Sequence, residues 1–307
     1  LRRVEAGRSV AVEDILATMP DLVNQVQSEG SLWAPEIAAV AIKQACGSIE
    51  EAVFLMRAYR STLERLYTSR VVDTDGMRAG RRISAAFKDI EGGQILGATR
   101  DYSHRLIEFE LADETVSDAR ERAREIRSRL SAPPDADAAA LLDRVPRVLT
   151  YLRSIDMVRD WPVDDTEPVD ITKTPLSFPA PRSVILQALS RGLTQAVVAI
   201  GYAAIRGFGL SHPTVGELRR GTVAIEIDAP GASEDAAEDA YYLGSIPVTE
   251  VESLIVSDEE DGDGGHRSAL DVGYGLVMGD DESKAIAMSV LDHSLRADDV
   301  RFPTQDQ

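Results

Sequence analysis

"GTVAIEIDAP" occupies residues 221–230. Val223, Ile225 and Ile227 alternate with Ala224 and Glu226, the two-residue period of a strand with one buried face. Two further stretches downstream read the same way: "IPVTEVESLIV" (246–256) and the short apolar "GYGLVMG" (273–279). The helix "DESKAIAMSVLDHSL" (281–295) follows, and a helix is expected over Arg182–Ala204. Acidic stretches at 231–240 and 257–265 read as the loops between these elements.

Upstream the period is helical. In "GSIEEAVFLMRAYRSTLERLY" (47–67), Ser48 and Glu51 have the spacing of a capping box. Ile49, Ala52, Val53, Met56, Tyr59, Leu63 and Leu66 then share one face. "WAPEIAAVAIKQACG" (33–47) has Pro35 in its first turn and Gly47 past its end. Residues 14–27 form a third helix, interrupted or restarted at Pro20. "HRLIEFEL" (104–111) alternates Ile107, Phe109 and Leu111 with glutamates and is expected as a strand, and residues 113–131 as a charged helix. "SAPPDADAAA" (131–140) and residues 156–170 are linkers. The fold class expected is α+β: a helical N-terminal region followed by a mixed antiparallel sheet and helices. The segments are 1–112, a variable acidic region 113–168, and 169–307.

Composition sets the chemical setting. The 307 residues carry 52 Asp+Glu against 33 Lys+Arg, a formal net charge of −19, with 44% hydrophobic residues. Lysine occurs only at Lys43, Lys88, Lys173 and Lys284. An acid-rich, Lys-poor surface suits high salt, and a halophilic source is expected. The same charge argues against non-specific binding to nucleic acid or to anionic lipid. Cys46 is the single cysteine, which rules out an intrachain disulfide and a CxxC metal site. The longest apolar run, Leu193–Ile205, is too short to span a bilayer, and no signal peptide is recognised. A soluble, cytoplasmic protein is expected, with its start trimmed because residue 1 is leucine.

Against that acidity, "GMRAGRRISAAFK" (76–88) holds Arg78, Arg81, Arg82 and Lys88 and no carboxylate. On a helix Arg78 and Arg82 would share a face, and arginine's planar fork suits phosphate. "EGGQILG" (91–97) offers backbone N–H groups to an anion. Asp101, His104 and Arg105 add an acid, a base and a cation. The alternative is structural pairing of these arginines with carboxylates elsewhere. "RGFGLSHPTVGELRRG" (206–221) reads as a loop bearing Arg206, His212, Glu217 and Arg219, fit for binding or proton transfer, or else an ordinary turn. "GYGLVMG" lacks the dinucleotide spacing, and "EEDGDGG" (259–265) puts Leu270 where a calcium loop needs glutamate. His266 and His293 have no ligand spacing, and no GxSxG, HExxH or Walker pattern occurs.

Five stretches in this order resemble the PhnI family, the I subunits of the carbon–phosphorus lyase system. They are "SLWAPEIAAVAIKQACGSIEEAVFLMRAYRSTL", "DGMRAGRRISAAFKDIEGGQILGATRDYSHRLIEFEL", "DITKTPLSFPAPRS", "RGFGLSHPTVGELRRG" and "GYGLVMGDDESKAIAMSVLDHSL". The likeness covers most of residues 10–110 and 169–295. It implies a subunit of a core complex with the G, H and J subunits, assisted by the L protein. It implies transfer of the ribose triphosphate of MgATP to an alkylphosphonate with release of adenine, and nucleosidase activity without partners. It also implies a zinc site shared with the J subunit, built from tail histidines for which this chain, ending "RFPTQDQ", has no counterpart. Under this reading Arg78, Arg81, Arg82, Lys88, Arg105, Arg206 and Arg219 hold phosphate or phosphonate. Asp101 or Glu217 stabilises an oxocarbenium-like sugar, and His104 or His212 protonates adenine. A non-catalytic scaffold subunit is the alternative.

Overall fold

A computed structural model of the chain describes residues 9–97, 106–131, 145–158, 167–207, 212–229, 240–260 and 266–295. The chain divides into two compact units, residues 1–64 with 97–133, and residues 65–96 with 134–307. The fold is α+β.

The first unit is helical: α1 (Val12–Thr18), α2 (Pro20–Gly30), α3 (Pro35–Gln44), α4 (Ile49–Ser61) and α5 (Val116–Ser131). Pro20 and Pro35 open α2 and α3, where a missing N–H costs nothing. Gly47, with φ 87°, donates its N–H to Ile42 O and ends the α3 turn. The Ser48 side chain then accepts from Glu51 N and starts α4. Ile15, Val26, Ala38, Ile42, Ala52 and Met56 fill the core.

Two expectations fail in this unit. The apolar stripe of α4 stops at Met56: Tyr59 is exposed within the helix, and beyond the helix end, where the Ser61 and Thr62 hydroxyls donate to Ala58 O and Tyr59 O, Leu63 and, in the second unit, Leu66 are exposed as well. Residues 106–111 are not a strand. Phe109–Asp113 is a 3-10 turn with Ile107 and Phe109 exposed, because alternation alone forms no strand without a hydrogen-bonded partner.

The second unit is built on an antiparallel sheet in the order β1 (Arg78–Ser84), β2 (Thr214–Asp228), β3 (Ala240–Glu260) and β4 (His266–Met278). The three stretches with strand character at 221–230, 246–256 and 273–279 lie largely within β2, β3 and β4. Residues 257–260 extend β3 rather than forming a loop. The helix expected over 182–204 is two helices, α7 (Arg182–Arg191) and α8 (Thr194–Gly207), broken at Gly192, where an added Cβ would meet Ala188 O and Leu189 O. α6 (Val148–Ser154) and α9 (Glu282–Ser294) complete the unit.

The two faces of the sheet have different partners. On one, Leu218, Val251 and Val277 pack with Ala285 and Met288 of α9 and with Leu186 and Leu189 of α7. α9 lies close because β4 carries glycine there: a Cβ on Gly273 would stand 2.0 Å from Ser289 O, and one on Gly275 2.1 Å from Ala285 O. On the other face, Val272 and Leu254 pack with Phe87 and with Val148 and Leu152 of α6. Between that patch and a second apolar cluster of Met77, Ala79, Val223 and Val248 lies a band of charge. No helix among the described residues is long and apolar enough to cross a membrane.

Candidate functional site: a buried guanidinium–carboxylate cluster

Strand register assembles the charge. Ser84 pairs with Glu217, Glu217 with Glu252, and Glu252 with Tyr274, forming one rung across all four strands. The next rung runs Arg82, Arg219, Glu250. Directly opposed residues share a face, so three glutamates and two arginines converge on one side of the sheet.

Arg82 Nε lies 2.6 Å from Glu217 Oε1, and its two other nitrogens donate to Val145 O (3.1 Å) and Pro146 O (2.8 Å). Arg219 Nη2 meets Glu250 Oε2 at 2.5 Å and donates to Thr74 O. Thr74 Oγ1 and the Tyr274 hydroxyl both donate to Glu250 Oε1, at 2.7 and 2.8 Å. Arg147, just before α6, reaches in from above. It pairs with Asp75 (2.7 Å), Glu250 (3.2 Å) and Glu252, while Val148 N donates to Glu217 Oε2 at 3.1 Å.

The electrostatics separate the two β3 glutamates. Burial would raise Glu250, but Arg219, Arg147 and the Thr74 hydroxyl hold it below the ordinary carboxylate range. Burial also raises Glu252; Arg147 opposes this, Glu250 and Glu217 add to it, and the carboxyl is pushed up to about 7. Its Oε2 has no hydrogen-bond partner. Burial and the neighbouring Glu250 push the Tyr274 phenol up. For Arg147, burial is outweighed by Glu252 and Glu250, and it stays charged. Chemically the cluster is a rigid, ion-paired assembly holding one group that can exchange a proton near neutrality.

The arginine-rich stretch is a strand, not a helix, which corrects the shared face expected for Arg78 and Arg82. A bulge lies between Ala79 and Arg81. Arg82 enters the cluster, whereas Arg81 leaves on the opposite face and makes a two-pronged pair with Glu282 at the start of α9, 2.8 and 3.2 Å. Arg220 approaches the same carboxylate at 3.5 Å. Arg78 and Lys88 are exposed. Residues 214–221 are likewise strand rather than loop, so Glu217 and Arg219 are buried. His212 is exposed just before β2, and Arg206 lies over the Tyr202 ring at 5.8 Å. Asp101, His104 and Arg105 lie outside the described residues. The residues brought together are therefore Arg82, Glu217 and Arg219. Among the described residues no group of three or more His, Cys, Asp or Glu has the arrangement of a metal site.

Arg147, Glu250, Glu252 and Tyr274 escaped the sequence reading. A usable signal was present for the glutamates: "VTEVESL" places Glu250 and Glu252 on the same face of an otherwise apolar strand. Carboxylates so placed must be paired or must hold a proton.

A family described as bacterial phosphonate metabolism protein (PhnI) matches residues 1–307. The chain is 40% identical over 291 residues to HtxH of Stutzerimonas stutzeri, described as a C-P lyase subunit protein, covering 95% of this chain and 74% of that one. It is 38% identical over 275 residues to the alpha-D-ribose 1-methylphosphonate 5-triphosphate synthase subunit PhnI of Escherichia coli, covering 90% and 71%. To the protein of the same description from Rhizobium meliloti it is 35% identical over 303 residues, covering 97% and 76%.

Proposed function

The chain belongs to the PhnI family, and from that premise we propose that it is a subunit of the carbon–phosphorus lyase pathway that takes part in moving the ribose triphosphate of ATP onto an alkylphosphonate. A phosphonate oxygen forms the new bond to C1′ of the ribose. The bond from C1′ to the adenine nitrogen breaks, its electron pair leaves with the base, and a proton is delivered to adenine. Both reactants are polyanions, so cationic side chains are needed to bring them together on a chain of net charge −19. The observation that carries the reading is the family match along the whole chain.

Within this proposal the roles divide by burial. Arg81, Arg82 and Arg219 are buried against Glu282, Glu217 and Glu250; their part is to order the sheet. Arg78, Lys88 and Arg206 are exposed and are the members of the predicted set proposed to meet phosphate or phosphonate. His212, exposed, is the proposed acid within the described residues, with His104 and Asp101 on the same chain as further candidates. The partners proposed are the G, H and J subunits and the L protein, in the cytoplasm where MgATP is at hand. Among the described residues no His, Cys, Asp or Glu cluster fits the zinc that the resemblance implies.

The scaffold reading is favoured by one observation: the most deeply placed arginines of the predicted clamp are already neutralised by carboxylates. Co-expression with the G, H and J subunits, followed by MgATP and methylphosphonate and chromatography for free adenine, separates the two. Adenine release that falls at least about tenfold in Arg78→Ala/Lys88→Ala protein supports the enzyme reading with these contacts. A complex that assembles and releases no adenine supports the scaffold.

A further inference from the structure

We propose that the outer face of α8 is a docking surface for another protein, one that presents an apolar patch rimmed by carboxylates. The contact rests on the reading of the chain as a carbon–phosphorus lyase subunit and gives that assembly a place on the fold.

The sequence marks this surface by an omission. About one residue in six of the chain is Asp or Glu, yet none occurs in residues 171–216, the longest run without a carboxylate. The same run carries Lys173, Arg182, Arg191 and Arg206, so it is positive within a chain of net charge −19. Burial is the ordinary reason for a segment to lack carboxylates, because an unpaired buried charge is costly. It does not apply to the outer side of α8.

The inner side of that helix, Val197, Gly201 and Ala204, packs on α9. The approach is close: a Cβ on Gly201 would stand 2.8 Å from the Ala287 Cβ. The outer side presents Ala196, Ala199, Ile200 and Ala203 at the i, i+3, i+4 and i+7 spacing of a single face, and all four are exposed. Ile200 is 55% exposed, and the neighbouring Tyr202 61%. Helices of the first unit meet solvent with charge: exposed positions include Glu50, Glu51 and Arg57 of α4 and Asp118, Glu121 and Glu125 of α5. On α8 Arg206 is the one charged residue in fourteen. A helix that is apolar on both sides is one that is covered on both sides.

Charge selects what covers the outer side. An acidic protein approaching most of this chain meets like charge, and the carboxylate-free face is where that repulsion is absent. Three alanines keep the face shallow enough for a partner's backbone to come close, and Ile200 stands up from them as an anchor. Nucleic acid is a poor fit, since it needs a row of cations along its phosphates and this face offers Arg206 alone.

Size-exclusion chromatography of the full chain co-expressed with the G, H and J subunits tests this, with both signs of charge placed at one exposed position. Ala203→Glu should reduce co-elution at least about fivefold, and Ala203→Lys should reduce it clearly less, because the face opposite is acidic. Both should keep the wild-type melting temperature, since residue 203 is exposed and Glu and Lys are good helix formers. Should Ala203→Glu melt lower, Ala199→Glu and Ala199→Lys make the same comparison one turn earlier. Co-elution undiminished by the glutamate, or diminished equally by either sign, overturns the contact while leaving the subunit reading intact. A wild-type chain that co-elutes with none of the three removes that reading and the contact together. A wild-type chain that dimerises alone, with Ala203→Glu abolishing the dimer and sparing co-elution, assigns the face to a second copy and overturns the acidic partner.

Discussion

Arg81 and Arg82 are adjacent in sequence and leave β1 on opposite faces of the sheet, the first ending 2.8 Å from Glu282 and the second 2.6 Å from Glu217. The pleat makes this unavoidable: neighbouring side chains in a strand diverge, so the two guanidiniums cannot grip one phosphate together. Each instead anchors a different layer, α9 on one side and residues 145–146 before α6 on the other.

Arg82→Ala should lower the unfolding free energy by about 3–5 kcal/mol, because it leaves the Glu217 carboxylate buried and unpaired. Arg82→Met combined with Glu217→Leu should recover most of that loss, since neither charge then remains to be desolvated. Urea titration followed by tryptophan fluorescence of Arg82→Ala and of the double variant checks both statements. A double variant as damaged as Arg82→Ala would mean that the bonds to Val145 O and Pro146 O, rather than the ion pair, carry the stability.

Glu252 gives the stability curve a sign. A carboxyl with a folded value of about 7 against 4.5 unfolded stabilises the fold fully below about pH 4.5. That contribution is lost as pH rises through 7, at about 1.4 kcal/mol per unit and about 3 kcal/mol in all. Glu252→Gln should lack this decline. Above pH 7 it should be more stable than the wild type, and below pH 5 no more stable. Thermal unfolding at four or five pH values is sufficient to detect the crossover.

Much of the architecture was legible because it is written in local rules. Ser48 with Glu51, Pro20 and Pro35 mark helix starts, and Val223, Ile225 and Ile227 mark a strand, without reference to any distant residue. What failed depended on partners. Ile107 and Phe109 alternate like a strand, but no strand pairs with them among the described residues. Arg78 to Arg82 fit a helical face as well as a strand until β2 supplies the ladder. Glu250 and Glu252 acquire meaning only from partners on other elements: Arg219 of β2 for Glu250, and for both Arg147, more than a hundred residues away along the chain. Glu217 and Arg219 were singled out for their chemistry and assigned to the wrong local structure, a loop instead of a buried rung.

The contact between β4 and α9 leaves no room for a methyl group. Gly273→Ala or Gly275→Ala would drive Cβ to about 2 Å from a helix carbonyl. Either should cost at least the 1–3 kcal/mol or so typical of overpacking, because the listener on the other side is backbone and cannot rotate away. A melting temperature unchanged in both variants would show that α9 can shift outward freely.

Salt should stabilise this chain. At −19 the surface carboxylates repel one another, and screening that repulsion relieves a cost borne by the folded state more than by the expanded unfolded chain. The ion pairs that hold the sheet, Arg81–Glu282, Arg82–Glu217 and Arg219–Glu250, are buried and are screened far less. Raising NaCl from about 0.1 M to about 1 M, where the Debye length falls from about 10 Å to about 3 Å, should therefore raise the melting temperature. Exposed pairs such as Arg65–Asp170 oppose the trend only weakly, since each contributes about 1 kcal/mol or less. Repeating the titration with potassium chloride separates screening from specific ion binding: equal rises at equal ionic strength are expected, and a melting temperature that falls with salt would refute the repulsion argument.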